Sequence, residues 1–162
     1  MPLAPGELLA LAGMMGAGKS SVAALLGRAL GRRVVSTDAH LSARFQKAIP
    51  AIFAEDGEAA FRQAERELVA QLSGDLVVDL GGGAFCDPQS AAHLLRKGKV
   101  VFLDVSEAEA ARRIGAGTGR PLAASWAALH AARLPLYRRA SLTVAVDGLA
   151  PEAVARQILE SL

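Results

Sequence analysis

The chain has 162 residues, enough for one ordinary hydrophobic core without metal or disulfide staples. Its composition, 52% apolar and 21% charged, excludes a disordered protein, and a net charge of +2 is too small and too evenly spread to mark a nucleic-acid or membrane surface. The sole cysteine, Cys86, excludes an intramolecular disulfide and predicts a small buried apolar side chain in a reducing compartment.

The first predicted strand is the apolar run Leu8 to Ala12, "LLALA". The residues before it carry no basic cluster, and nowhere does the chain reach the roughly 18 consecutive apolar residues of a membrane helix, so the expectation is a cytoplasmic protein. "GMMGAGKS" follows directly, and then a helix from Lys19 to Leu30 with its stop at Gly31. A short strand at Val34 and Val35 precedes "STD", and helices are predicted over Ala39 to Lys47 and Glu58 to Leu72. The run "LVVDL" from Leu76 to Leu80 reads as a strand ending in Gly81, Gly82 and Gly83. Beyond it come a helix at Pro88 to Leu95, a strand at Val100 to Val105 and a helix at Glu107 to Ile114. Trp126 to Arg139 is a further helix, followed by a strand at Leu142 to Val146 and a last helix at Pro151 to Leu162. Strands that are apolar almost throughout and alternate with helices predict an α/β fold: a parallel sheet, covered on both faces, built from right-handed βαβ units. No repeat, linker or low-complexity tract divides the chain, which predicts one domain over residues 1 to 162.

Gly13, Gly18, Lys19 and Ser20 satisfy G-x-x-x-x-G-K-[ST], and they lie between a strand and a helix, where that motif has physical meaning. A loop that wraps a polyphosphate must turn its N–H groups inward, and Gly16 and Gly18 supply the backbone freedom. The loop delivers the anion to a helix N-terminus, Lys19 reaches the terminal phosphates, and the Ser20 hydroxyl faces Mg²⁺. Met14, Met15, Ala17 and Ser21 complete the predicted ATP-binding stretch. The loop alone does not separate kinases from GTPases, ATPases or motors.

The order of "GMMGAGKS", "STD", "IFAEDGEAAFRQAE", "LGGGA", "GRPL" and "RLPLYRRAS" resembles the shikimate kinase family of small P-loop kinases, related to the nucleoside monophosphate kinases, over nearly the whole chain. The resemblance implies a three-layer α/β/α P-loop kinase fold with five parallel strands in the order 2-3-1-4-5. It also implies a substrate-binding segment at about 38–66 and a mobile lid at about 113–125. ATP and shikimate are the implied co-substrates of a monomer that binds neither nucleic acid nor membrane. Asp38, read as ending the second strand, matches the carboxylate that holds the substrate diol and orients the attacking hydroxyl. Arg62 and Arg133 match arginines that grip the substrate carboxylate, with Glu65 holding Arg62. A planar guanidinium suits a carboxylate because it bonds both oxygens. Gly81, Gly82 and Gly83 let the backbone approach the substrate, and Ile49, Phe53 and Phe61 match its apolar wall. Arg120 matches the lid arginine that closes over the phosphates, with Gly115, Gly117 and Gly119 as hinge glycines, and Arg113 is placed near the adenine.

Two departures stand out. Where the family carries Asp-Thr-Asp, this chain reads Ser36-Thr37-Asp38, while Asp79 stands where Ser or Thr is usual. The expectation is a compensating exchange in which Asp79 supplies the carboxylate toward Mg²⁺ beside Ser20. The segment from Arg120 to Tyr137 is also shorter than the family pattern, and Trp126 falls within it. The alternatives are a P-loop kinase for another acceptor, such as gluconate or a nucleoside monophosphate, and a non-catalytic module that reports ATP state to a partner. The histidines and Cys86 show no zinc-like spacing.

Overall fold

The computed structural model describes residues 2–118 and 125–162. Five parallel strands form one sheet: β1 (Leu8–Ala12), β2 (Arg33–Ser36), β3 (Leu76–Asp79), β4 (Gly98–Asp104) and β5 (Leu142–Ala145), in the spatial order β2-β3-β1-β4-β5. The order and the parallel sense agree with the sequence expectation. β1 is central and buried along its whole length, as an uninterrupted apolar run requires. The edge strands β2 and β5 are only partly covered, so the expectation of burial on both faces holds for the middle of the sheet and not for its rims.

The helices are α1 (Lys19–Leu30), α2 (Thr37–Phe45), α3 (Ile49–Glu55), α4 (Glu58–Ala70), α5 (Pro88–Lys97), α6 (Glu107–Thr118), α7 (Trp126–Tyr137) and α8 (Pro151–Ser161), with a single 3-10 turn at Ala84–Cys86. Gly31 ends α1 in the left-handed conformation, its N–H directed at the carbonyls of Arg28 and Gly27. α3 has no counterpart among the predicted elements. The chain also turns helical earlier than expected after β2: Ser36 is the N-cap of α2, accepting from the Ala39 N–H at 3.2 Å. Asp38 therefore sits in the first turn of α2 rather than at the end of the strand, and the capping residue is Ser36. α6 continues through Gly115 and Gly117 to Thr118, past its expected end at Ile114, so these two glycines are helical. The predicted lid residues Gly119 and Arg120 lie outside the described residues.

The main core joins the sheet to its flanking helices, and a smaller cluster of Leu41, Ile52, Phe61 and Ala64 holds α2, α3 and α4 together. That second cluster stands beside the C-terminal ends of β2 and β3, where open α/β sheets bind ligands. Among the described residues no helix is long and apolar enough to cross a membrane.

Candidate active site

The phosphate loop runs from the end of β1 to the start of α1. Gly16 has φ 91°, and a β-carbon there would stand 3.0 Å from the Ala110 side chain, so neither the backbone angle nor the space admits another residue without strain. Lys19 turns back onto its own loop, donating to the carbonyls of Gly13 at 2.6 Å and Met14 at 3.2 Å. The Ser20 hydroxyl donates to Asp79 Oδ2 at 2.6 Å. Asp79 is the last residue of β3, and Ser36 is its register partner on β2. Arg113, from α6, anchors the far side of the loop through bonds to the carbonyls of Gly16 and Ala17, and it also reaches those of Val146 and Leu149. Glu109 holds Arg112 and touches Arg113, and the Arg112 bonds draw the Glu109 carboxyl down to about 2.

A cavity of about 610 Å³ opens beside this loop. Its far wall carries the residues predicted to meet the acceptor. Ile49, Phe53, Phe61, Arg62 and Glu65 come from α3 and α4, Asp38 from α2, and Arg133 from α7. Met14, Met15, Gly18, Lys19 and Ser21 line it from the phosphate side. Arg62 is braced on three sides. It donates to Glu65 Oε1 at 2.9 Å, pairs with Glu58 at 3.5 Å, and lies 5.2 Å from the Phe61 ring centroid and 5.7 Å from that of Phe53.

Gly81, Gly82 and Gly83 explain themselves here by space rather than by backbone angle. A β-carbon on Gly81 would strike the Asp38 carboxylate; one on Gly82 would stand 3.0 Å from Arg133 Nη1, and one on Gly83 2.6 Å from Arg62 Nη1. Each glycine makes room for the head of one polar residue of the cavity. Side chains hold this loop as well as its own backbone turns: the Gly81 N–H donates to Thr37 Oγ1 at 2.8 Å, and the Tyr137 hydroxyl donates to the Gly82 carbonyl at 2.5 Å.

The charges follow from burial. Desolvation brings Lys19 down to about 8, against the opposing attraction of Asp79 and Asp38. Asp38 is pushed up, chiefly by burial and further by Asp79, while Lys19 and Arg62 pull the other way. Glu65 is 1% exposed and raised by burial, although its bond to Arg62 favours the charged form; its Oε2 has no partner among the described residues. Burial lifts the Tyr137 hydroxyl to about 12, which keeps it a donor at neutral pH. Cys86 is half-buried beside Arg133 and Arg62, and not the closed core residue expected; burial pushes its thiol up.

The predicted residues on the described part of the chain thus converge on one cavity, apart from Gly13 and Ala17, which shape the loop from behind. Arg120 lies outside the described residues. Thr37, Tyr137 and the Trp126 indole were not singled out for the contacts they make, because each meets a backbone group and no side-chain pattern announces such a partner.

The sequence from residue 15 to 162 matches the family model described as shikimate kinase. The chain is 43% identical to the shikimate kinase of Synechococcus sp. (strain RCC307), over 97% of its own length and 85% of the relative's. The chain belongs to the shikimate kinase family. The shikimate kinase of Thermobifida fusca (strain YX) is likewise 43% identical, over 96% of this chain and 94% of the relative. Among solved structures, the shikimate kinase from Acinetobacter baumannii in complex with shikimate superposes with a TM-score of 0.85 at 31% identity, covering 96% of this chain and 92% of that one. A gluconokinase from Sinorhizobium meliloti shares the fold at a TM-score of 0.61 and 23% identity.

Proposed function

We propose that this shikimate kinase family member transfers the γ-phosphoryl group of ATP to the 3-hydroxyl of shikimate. The observation that carries the reading is the convergence of Asp38, Arg62 and Arg133 on the glycine run, across one cavity from Lys19. An acceptor that is both an acid and a polyol needs this set: guanidinium forks for its carboxylate and a carboxylate for its hydroxyls.

In the transfer, the hydroxyl oxygen forms a bond to the γ-phosphorus as the bond from that phosphorus to the β-bridging oxygen breaks and ADP leaves. Asp38 orients the hydroxyl and accepts its proton, and its raised pKa favours that acceptance. The loop N–H groups and Lys19 hold the phosphates, Arg113 lies at the nucleotide end, and Arg120 closes over the transferred group. Ile49, Phe53 and Phe61 exclude water from the acceptor. The chain acts as a cytoplasmic monomer.

Mg²⁺ fits the residues present. Ser20 and Asp79 offer hard oxygens 2.6 Å apart, and among the described residues no cluster of three or more acidic, histidine or cysteine ligands competes for a different ion. Ser20 and Asp79 would hold the ion, with Asp79 standing in for the carboxylate that position 36 lacks. When bound, the ion would supply positive charge that offsets the negative charge of the phosphates during the transfer.

The test is ADP release from ATP and Mg²⁺, with and without shikimate, with the Asp38→Asn protein as control. Release that needs both shikimate and Asp38 is the expected result. Release with gluconate or a nucleoside monophosphate instead would redirect the acceptor, and nucleotide binding without any release would leave a regulatory module.

A further inference from the structure

Trp126, His130, Arg133 and Tyr137 follow one another along one face of helix α7, and of these Trp126 and Arg133 line the cavity. Trp126 opens the helix and is 3% exposed. Its ring stacks on His130, centroids 4.9 Å apart and planes 15° from parallel, and its indole N–H donates to the carbonyl of Met15 at 3.0 Å. Met15 is 66% exposed, and the contact from Trp126 is to its backbone carbonyl. Farther along the same face, Arg133 and the Tyr137 hydroxyl approach Met14 Sδ at 3.8 and 3.7 Å.

Met15 and Gly16 share one peptide group in the middle of the phosphate loop. A trans peptide is planar, with its carbonyl and N–H pointing in opposite directions. Holding the Met15 oxygen against Trp126 therefore turns the Gly16 N–H away from α7. The glycine that follows has φ 91°, and glycine is the residue least able to resist rotation of the peptide before it. A flipped peptide would present an oxygen to the phosphates where an N–H is needed, placing like partial charges together.

The geometry points to Trp126 as a positioning residue for the nucleotide: its indole N–H fixes the Met15–Gly16 peptide so that an N–H, and not a carbonyl, faces a bound polyphosphate. This rests on the reading of the loop as the nucleotide site. It gives α7 a part in nucleotide binding as well as in acceptor binding.

The experiment is calorimetric titration with ADP of the unmutated protein and of Trp126→Phe, which keeps a ring against His130 and removes the N–H. The expected result is a Kd for ADP raised about tenfold, with the KM for the acceptor within about twofold and the melting temperature within about 2 °C of the unmutated protein. An unchanged Kd overturns the proposal. So does a parallel loss of ADP affinity, acceptor affinity and melting temperature, which is what a packing role predicts. Trp126 is the chain's only tryptophan, so the unmutated protein decides the matter if the variant does not fold. Its emission is expected to change saturably at the Kd for ADP, and emission indifferent to saturating ADP overturns the proposal. Failure of the unmutated protein to bind ADP at all would remove the nucleotide reading and this inference with it, an outcome distinct from tight binding that ignores the Phe substitution.

Discussion

The two halves of the cavity are built on different principles. The phosphate side is made of backbone: residues 13 to 20 are contiguous, and glycines together with a helix N-terminus supply its shape and donors. The side proposed to hold the acceptor is made of side chains: Asp38, Arg62 and Arg133 come from three helices, and the glycine run leaves room for their heads. A backbone-built half binds any polyphosphate, whereas a side-chain-built half can be changed one group at a time. Substitutions should therefore separate the halves cleanly, and failures of separation would locate where they are coupled.

The largest separation is expected for Asp38→Asn, which should lower kcat by about 10²–10⁴ while ADP affinity stays within about twofold; steady-state kinetics beside an ADP titration checks it. Arg62→Lys keeps a charge but loses the fork, and should raise the acceptor KM by about ten- to a hundredfold with the ATP KM held. Asp79→Asn sits on the boundary. It should raise the Mg²⁺ concentration for half-maximal rate by about tenfold, and an unchanged magnesium titration would remove Asp79 from the metal's surroundings.

The pH dependence belongs to the phosphate half. Free Lys19 titrates at about 8 because it is desolvated. Bound phosphates favour its charged form, so the complex has the higher pKa. Below pH 8 Lys19 is charged in both states and ADP affinity is flat with respect to this group. Above pH 8 binding must take up a proton, and affinity falls by at most about tenfold per pH unit until the pKa of the complex is reached. Calorimetry in buffers of different ionisation enthalpy should show that uptake at pH 9 and not at pH 7. The smallest effect is expected for Gly83→Ala. The new methyl meets the movable end of Arg62, so the acceptor KM should rise about three- to tenfold while the melting temperature changes by no more than about 2 °C.

The same contrast governs what the sequence made legible. The loop from Gly13 to Ser20 could be read without help, because a contiguous motif between strand and helix carries its own geometry. All five strands were legible from their apolar runs, and their ends moved by two residues at most. The acceptor half was legible only through family resemblance, since nothing local tells Arg62 and Glu65 from an ordinary helical ion pair. α3 was missed because seven residues with Pro50 near the start show too little periodicity to register. Asp38 was assigned to the strand end because two valines and a serine give no sign that the serine already caps a helix. Thr37 and Tyr137 were not given roles at all: their partners are a peptide N–H and a carbonyl, and every residue has those.

The pairing of Ser36 with Asp79 has a wider consequence. In a parallel ladder, two residues on one rung look out on the same side of the sheet, a strand's width apart, although more than forty positions of chain separate them. Whatever stands above that rung senses the sum of its two occupants. If Asp79 supplies the charge that position 36 lacks, as proposed above, the exchange moves a carboxylate across one rung of the sheet, and a comparison made column by column would record it as two separate losses of pattern.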